Sequence, residues 1–301
     1  MRVSMTEYPK MAPPDTLPPE AASRLGERRS RAALRRIAAG EQRKRATRIA
    51  EALHDGSFCL RYLPRLRLGA AGQTPAGLLE GAELWIGLPN RKRGLVAVAP
   101  FLRGLERQGP RADMLRFSLA AATAEVATWP GTWRVAVPVT GRTLTDGAVL
   151  DAVLEALDTA SIAPWRIELQ IDETELIDSG TPLNHTIGDL RAAGLGVTLD
   201  GFGATFGGLA LLSRLPLSGL KLDRRLARVG EPDDDAADEA TLIRASAEIA
   251  HRHGLTVTID GIETEAELQR ARRLGVDFVQ GPWIGAAMPA ETLRVRARSQ
   301  G

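Results

Sequence analysis

Short apolar runs separated by stretches of helical periodicity form the dominant pattern of this chain. Six runs in the second half predict strands, at residues 133–139, 166–172, 196–200, 219–222, 256–260 and 277–279. The intervening stretches predict helices, near residues 147–158, 182–193, 239–252 and 264–274. Strands that alternate with helices of about 10–15 residues are typical of right-handed βαβ units and a parallel sheet.

Further elements are predicted in the first half of the chain. Alternating apolar and basic residues over 58–68 indicate a half-buried strand, and residues 83–88 indicate a second strand. Helical stretches follow at 96–107 and 112–128. Eight strands in about 250 residues favour a closed barrel, and no glycine-rich dinucleotide-binding turn follows an early strand. We therefore predict an α/β fold of the TIM (β/α)8 barrel type.

The segment before the barrel has a different composition. Residues 1–20 are polar and rich in proline, so we expect them to be disordered. Residues 21–53 predict a basic, amphipathic helical segment, which leaves 54–301 as the barrel domain. Residues 1–54 carry 12 Lys or Arg and 6 Asp or Glu, whereas the remaining residues carry 27 and 31. This basic arm can contact an acidic partner, a membrane surface or nucleic acid, or it can pack under the barrel as a cap.

The rest of the composition narrows the class of protein. The single cysteine, Cys59, excludes an internal disulfide, and no apolar run reaches the ~18 residues that a membrane span requires. The start of the chain also lacks the apolar region of a signal peptide, so a cytoplasmic protein is expected. Arginine outnumbers lysine by 35 to 4. This bias draws attention to Lys221, because an ammonium group has an adjustable pKa that a guanidinium lacks.

Acidic residues and one lysine follow several of the predicted strands. The phrases that contain them are Glu83-Leu84-Trp85, Ile167 to Glu173, Leu199 to Gly203, Leu220 to Asp223, Asp260 to Glu263 and Val279 to Gly281. In a barrel the carboxyl ends of the parallel strands meet at one mouth, where oxygen ligands can hold metal ions. Each carboxylate alone could be an ordinary strand-end group, but their common position predicts a shared site.

The order and spacing of these phrases resemble the EAL family, cyclic di-GMP phosphodiesterases built on a modified TIM barrel. The resemblance extends from about Ile49 to Ala290. It implies that Glu83, Glu173 and Asp200 stand where members of the family hold their metal ions. Hard divalent ions such as Mg²⁺ or Mn²⁺ require oxygen ligands of this kind.

The same resemblance implies catalytic and substrate-binding roles for residues near the C-terminus. Lys221 matches a lysine that orients or activates the attacking water. Asp260 and Glu263 match the two acidic residues of the next motif. Glu263 and Gln280 match residues that support the second metal ion and its loop. Gln280 and Asp223 are assigned to the substrate side of the site.

Five positions depart from the family pattern. Pro138 replaces an asparagine ligand, Gly201 replaces the second residue of an aspartate pair, and Asp260 is one methylene shorter than the family's glutamate. Leu63 replaces a glutamine, and Gly87 replaces an arginine that contacts the nucleotide phosphate. A charge-assisted hydrogen bond of that kind is typically worth about 1.5–3 kcal/mol.

These departures predict a degenerate, catalytically inactive EAL protein that binds no metal ion tightly and binds cyclic di-GMP weakly or not at all. Such a protein would act through a protein partner or through weak nucleotide sensing. A homodimer is also compatible with the sequence. The alternative is a residual phosphodiesterase that hydrolyses cyclic di-GMP to linear pGpG with Mg²⁺ or Mn²⁺.

Overall fold

The structure is a computed structural model of the chain. It describes residues 44, 47–69, 77–90, 92, 94–98, 111–145, 149–176, 182–203, 208–227 and 238–299. The prediction of disorder for residues 1–20, and that of a basic helix for most of residues 21–53, therefore lie outside the described residues. The described part of that helix is α1, residues 47–55.

Nine strands are present in the described part of the chain. They are β1 Cys59–Arg67, β2 Leu78–Asn90, β3 Gly94–Ala97, β4 Arg134–Val139, β5 Ile167–Asp172, β6 Gly196–Phe202, β7 Gly219–Leu222, β8 Thr256–Ile259 and β9 Phe278–Val279. The strand order β1-β9-β8-β7-β6-β5-β4-β2 is closed by pairing of β1 with β2, and β3 extends β2 as a hairpin. The predicted eight-stranded barrel is thereby confirmed.

Helices connect the barrel strands and cover their outer face. After α1 they are α2 Arg111–Val126, α3 Gly141–Thr145, α4 Val149–Ala160, α5 Glu173–Leu176, α6 Pro182–Ala192, α7 Gly208–Leu212, α8 Arg224–Ala227, α9 Asp238–Arg252, α10 Glu265–Arg273 and α11 Ala290–Arg298. The start of α10 is fixed by a capping box, in which Thr264 and Glu267 bond each other's backbone N–H groups. None of the described helices has the length and apolar character needed to cross a bilayer.

The first strand runs against the direction of the others. β1 pairs antiparallel with both β2 and β9, whereas the remaining barrel pairs are parallel. The parallel sheet predicted from the strands of residues 133–279 is confirmed for β4 to β9, and β1, which lies outside that pattern, is antiparallel. The connection from Arg67 to Leu78 explains the difference, because a parallel crossover requires about a dozen residues or more.

The predicted helix at 96–107 is wrong at its start. Val96 and Ala97 belong to β3 and pair with Leu88 and Gly87 of β2, and the N–H of Val98 continues this pairing to the carbonyl of Ile86 at 2.8 Å. The β2–β3 hairpin satisfies these backbone groups and keeps them from forming a helix. Residues 99–107 lie outside the described residues.

The barrel strands separate apolar from polar side chains. On β5, Ile167, Leu169 and Ile171 are fully buried in the main apolar core, while Glu168 and Gln170 point to the opposite side, into the barrel. Inside the barrel, Nη1 of Arg65 lies 2.8 Å from Oε2 of Glu168. Burial alone would raise the pKa of Glu168, but the Arg65 charge and the Gln170 hydrogen bond bring it below its ordinary value. The interior of the barrel therefore contains a buried ion pair between Arg65 and Glu168.

Helix α1 packs on the barrel beside the carboxyl end of β2. Ile49 is 1% exposed and clusters with Val98 and Met114, and Arg48 donates to the carbonyl oxygen of Pro89 at 2.7 Å. Since β2 runs parallel to β4, this location is on the mouth side of the barrel. The described part of the basic segment is thus packed on the barrel, but not as a cap under the amino ends of the strands.

Candidate functional site at the barrel mouth

A ring of inward-facing positions surrounds the mouth of the barrel. Strand pairing places Pro138 beside Gln170, and Asp200 beside Lys221. In the order of the strands, the ring consists of Glu83 on β2, Pro138 on β4, Gln170 on β5, Asp200 on β6, Lys221 on β7, Asp260 after β8 and Gln280 after β9. The inward alternation of each strand brings these residues together from distant parts of the sequence.

Lys221 occupies the centre of this ring. Its Nζ donates to Oε2 of Glu83 at 2.6 Å and to Oδ2 of Asp200 at 3.4 Å, and the lysine side chain is only 3% exposed. Asp200 on the neighbouring strand and Asp223, two residues further along the chain, are both possible partners for this lysine. Asp223 instead accepts from Nε of Arg225 at 2.8 Å. The lysine therefore links β7 to β2 across the mouth.

The charges of this cluster constrain one another. Burial opposes the charge on Lys221, but Asp200, Glu83 and Asp260 outweigh burial and raise the pKa of the ammonium above its ordinary value. Burial raises the pKa of Glu83 and of Asp200, and Lys221 acts against that effect. Lys221 is therefore protonated throughout the physiological pH range and balances part of the negative charge around it.

The arrangement fits a pair of divalent ions poorly. Among the described residues, no group of three His, Cys, Asp or Glu side chains is placed to hold a metal ion. The Lys221 ammonium takes the space between Glu83 and Asp200 that an ion shared by these carboxylates would need. Pro138 and Gly201 offer no side-chain oxygen. Mg²⁺ and Mn²⁺ require several oxygen ligands in near-octahedral geometry, which this set does not supply.

Gly201 lies in a local bulge of β6. Asp200 pairs with Lys221 and Phe202 with Leu222, so Gly201 between them has no partner on β7. Its φ is +75°, in the left-handed region, and a Cβ at this position would meet no atom within 4 Å. A side chain at residue 201 would thus have space in front of it, at the cost of a strained backbone.

Glu173 lies apart from the ring around Lys221. It is the first residue of α5 and is 0% exposed. A Cβ at Gly208 would lie 2.6 Å from Oε1 of Glu173 and 2.6 Å from the ring of Phe202, so the carboxylate sits against the start of α7. The structure brings Glu83 and Asp200 together, but it places Glu173 against Gly208, the first residue of α7.

Sequence reasoning overlooked Gln170 as a mouth residue. The signal was available in β5, where the apolar residues Ile167, Leu169 and Ile171 mark the outward face and leave Gln170 inward. Its Nε2 donates to Oε1 of Glu168 at 3.2 Å. The ring position beside Pro138 therefore carries a neutral amide.

The rim after β8 and β9 is held by backbone contacts. The N–H of Ile262 donates to the carbonyl of Gln280 at 3.0 Å, and a Cβ at Gly281 would lie 2.3 Å from the nitrogen of Ile262. Asp260 accepts from the backbone of Gly261 at 2.7 Å. Glu263 is exposed on this rim, outside the group of carboxylates that raise the pKa of Lys221.

On the substrate side of the mouth, the two positions Leu63 and Gly87 carry no polar side chain. Leu63 lies opposite Glu83 on the antiparallel β1–β2 pair, and its carbonyl accepts from Nε2 of the buried Gln280 at 3.5 Å. A Cβ at Gly87 would lie 2.5 Å from Cζ3 of Trp85, so the indole covers this glycine. An arginine at position 87 would require Trp85 to move. The sequence did not indicate this contact.

Comparisons with known proteins agree with the fold. The EAL domain family matches residues 46–287. The chain is 27% identical over 249 residues to the bifunctional diguanylate cyclase/cyclic di-GMP phosphodiesterase MucR of Pseudomonas aeruginosa, covering 81% of this chain and 35% of that protein. An uncharacterised protein of Sinorhizobium fredii, y4lL, is 26% identical over 253 residues, with coverage of 84% and 29%. The chain thus spans about a third of the length of these curated relatives.

A solved structure is similar to this chain in its three-dimensional fold. The PaMucR phosphodiesterase in complex with c-di-GMP matches with a TM-score of 0.73 at 27% identity. The match covers 83% of this chain and 99% of that chain. The barrel fold is therefore common to both proteins.

Proposed function

The chain belongs to the EAL domain family, and we propose that it is a catalytically silent member that acts in cyclic di-GMP signalling without turnover. The observation that carries the proposal is the contact of Lys221 with Glu83 and Asp200, at 2.6 and 3.4 Å. This ammonium balances the carboxylates that would otherwise attract a metal ion. We infer that the domain acts through contact with a protein partner or through weak nucleotide sensing.

Hydrolysis of a phosphodiester requires groups that these residues do not supply. A metal-dependent enzyme activates water and neutralises the phosphate with bound ions. Here Asp200, Glu83 and Asp260 raise the pKa of Lys221, which favours the charged amine over a base that could accept a proton from water. Pro138 and Gly201 offer no side-chain oxygen that could complete an ion's coordination. Each of these features alone would weaken catalysis, and together they remove its components.

The relatives support cyclic di-GMP as the nucleotide of this pathway. The name of MucR includes cyclic di-GMP phosphodiesterase, and the PaMucR structure is a c-di-GMP complex. In this chain Leu63 and Gly87 lack polar side chains on the mouth side of β1 and β2. We therefore infer weak binding at the family's phosphate position.

A second candidate is a residual phosphodiesterase. The observation in its favour is that Glu83, Asp200 and Asp260 still converge on one point, the Lys221 ammonium. Displacement of that ammonium would free the carboxylates of Glu83 and Asp200 to bind an ion. Titration of the protein with Mn²⁺ tests both candidates.

Metal binding distinguishes a silent barrel from an active one. Titration of the protein with Mn²⁺ in a calorimeter, followed by an anomalous-scattering map of Mn²⁺-soaked crystals, gives the number and position of bound ions. We expect at most one weakly bound ion. Two fully occupied ions about 3.5–4 Å apart at the mouth would refute the proposal.

A further inference from the structure

A groove runs along the outside of the barrel between helices α2 and α4, and it has a volume of about 470 Å³. Alanine methyl groups from both helices form most of its walls. These alanines are Ala120, Ala124, Ala127, Ala152, Ala156 and Ala160. Along α2 the groove extends from Arg116 to Ala127, about 16 Å at the usual helical rise. Because small side chains let another helix approach closely, these dimensions suit a third helix of about three turns.

The rim of the groove is acidic on the α4 side. α4 contains three exposed carboxylates, Asp151, Glu155 and Asp158, and no basic residue. Oε2 of Glu155 lies 2.6 Å from Nη1 of Arg116, but the two side chains remain 69% and 49% exposed. An exposed pair of this kind is weak, so Glu155 can exchange its partner at little cost. The charge of the rim therefore favours a basic occupant.

The basic segment of this chain joins the barrel beside the same groove. Helix α1 packs through Ile49 on Met114 of α2, and Arg116 at one end of the groove is two residues further along α2. Ten residues separate Ile49 from Ala39, and an extended chain of that length spans up to about 30 Å. The residues before α1 can therefore reach the groove without crossing the barrel.

The sequence of residues 27–39 matches both the walls and the rim of the groove. Gly26 and Gly40 bound these thirteen residues, which in the predicted helix would extend about 20 Å. The stretch carries five arginines and one glutamate. Leu34, Ile37 and Ala38 lie at helical spacing and would form one apolar side. The stretch thus combines an apolar stripe for the alanines with positive charge for the carboxylates.

We propose that residues 27–39 dock as a basic helix in the groove between α2 and α4 of the same chain. The stripe of Leu34, Ile37 and Ala38 packs on the alanine walls, and the neighbouring arginines lie at the acidic rim of α4. The groove and any acidic partner then compete for the same arginines. Docking at this outer groove does not depend on the chemistry of the barrel mouth.

The test is hydrogen exchange of the full chain, measured by mass spectrometry at the amides of residues 27–39, with thermal melts to show that each variant is folded. A124R places a bulky cation in the groove at an exposed position of α2, where arginine suits a helix. We expect the amides of residues 27–39 to exchange at least about tenfold faster in A124R than in the unmodified chain, because docking protects them. The matched control, A245R, makes the same change at an exposed position of α9. It should exchange as the unmodified chain does.

A second pair of variants tests the charge contact without filling the groove. E155Q removes one carboxylate from the rim and should speed exchange of residues 27–39 about twofold or more at low salt, since exposed charge pairs are weak and are screened by salt. E248Q removes an exposed carboxylate from α9 and should leave this exchange unchanged.

Two results would overturn the proposal. The first is equal exchange of residues 27–39 in the unmodified chain and in folded A124R, whatever the degree of protection. The second is protection that rises with protein concentration, which would assign the groove to the basic segment of a second copy. Hydrogen exchange at these residues reports nothing on turnover, so either result is distinct from failure of the silent-barrel proposal.

Discussion

Among single residues, Lys221 has the largest influence on the mouth. With the ammonium in place, Glu83, Asp200 and Asp260 share one positive charge; without it, they repel one another in a partly buried space. We predict that K221M lowers the free energy of unfolding at pH 7 by about 3–5 kcal/mol, the usual effect of leaving a buried charge uncompensated. Urea unfolding measures this change, and K92M, which removes an exposed lysine, is the control.

The pH dependence of K221M follows from the carboxyl groups. The pKa values of Glu83 and Asp200 are already raised by burial, and loss of Lys221 raises them further. A raised pKa means that the folded state binds more protons than the unfolded state, so stability falls as pH rises through the window above the ordinary carboxyl range. K221M should therefore regain stability between pH 7 and pH 5. Equal destabilisation at both pH values would contradict this account.

The pair Arg65–Glu168 carries a second prediction at this scale. Both side chains are buried, at 4% and 8% exposure, so E168Q leaves a buried guanidinium without its counter-charge. We predict a loss of about 3–5 kcal/mol in urea unfolding at pH 7. The control is E80Q, which breaks the more exposed pair between Glu80 and Arg67; like Arg65, Arg67 lies on β1. This change should cost about 0–1 kcal/mol.

The sign of the pH effect separates this pair from the Lys221 cluster. Because the pKa of Glu168 is lowered in the folded state, its stabilising contribution is present above the ordinary carboxyl pKa and is lost as pH falls through the lowered value. The difference between the unmodified chain and E168Q should shrink below about pH 4. A difference that grows on acidification would contradict the assignment.

The residue scale also shows what the sequence could supply. Lys221, Glu83 and Asp200 were predicted to share a site, and they do converge, because strand ends in a barrel have only one place to meet. The partner of Lys221 was not predictable, since Glu83 lies 138 positions away and the choice depends on barrel closure. Gln170 could have been found from the alternation of apolar residues on β5. That pattern is a better guide to the inward-facing residue than the motif comparison that selected Glu173.

At the scale of elements, the β1–β2 edge is a coupled unit. A Cβ at Gly87 would lie 2.5 Å from the ring of Trp85, so G87R alone must displace the indole. We predict that G87R lowers the free energy of unfolding by about 1–3 kcal/mol, the usual range for overpacking. The double variant G87R/W85L should lose less than the sum of the two single changes. A double-mutant cycle in urea measures this coupling, and strict additivity would refute the contact.

Helix α1 carries the element-scale prediction for the N-terminal segment. The described core contacts of this segment begin at Ile49, which packs on Val98 and Met114. I49A should therefore destabilise the barrel by about 2–5 kcal/mol, while E51A, at an exposed position of the same helix, should have little effect. Deletion of residues 1–45 should leave the barrel folded. A melting temperature that is unchanged by I49A would show that α1 is only loosely attached.

Element type was more predictable than element direction. The strands β4 to β9 follow from apolar runs flanked by helical periodicity. The antiparallel direction of β1 does not appear in its alternation, because an alternating strand reads the same in either direction. The end of β3, Val96 and Ala97, was assigned to a helix because short apolar runs suit both structures, and pairing with β2 decides between them.

At the scale of the whole molecule, our proposal is that the barrel does not hydrolyse cyclic di-GMP. Restoration requires several changes at once, because residues that act as a unit are non-additive. Gly201 has open space in front of it, and relief of the β1–β2 edge requires a change at Trp85 as well as at Gly87. The repaired chain combines P138N, Q170E, G201D, D260E, G87R and W85L. Single changes should restore almost no turnover.

The most direct measurement is a chromatographic assay of the linear pGpG that the purified chain forms from cyclic di-GMP in the presence of Mn²⁺. The phosphodiesterase domain of MucR serves as the positive control, and the repaired chain shows whether the barrel can support the chemistry. We predict no product above background from the unmodified chain and measurable product from the repaired one. Product formation by the unmodified chain at a rate comparable to the MucR domain would contradict the account.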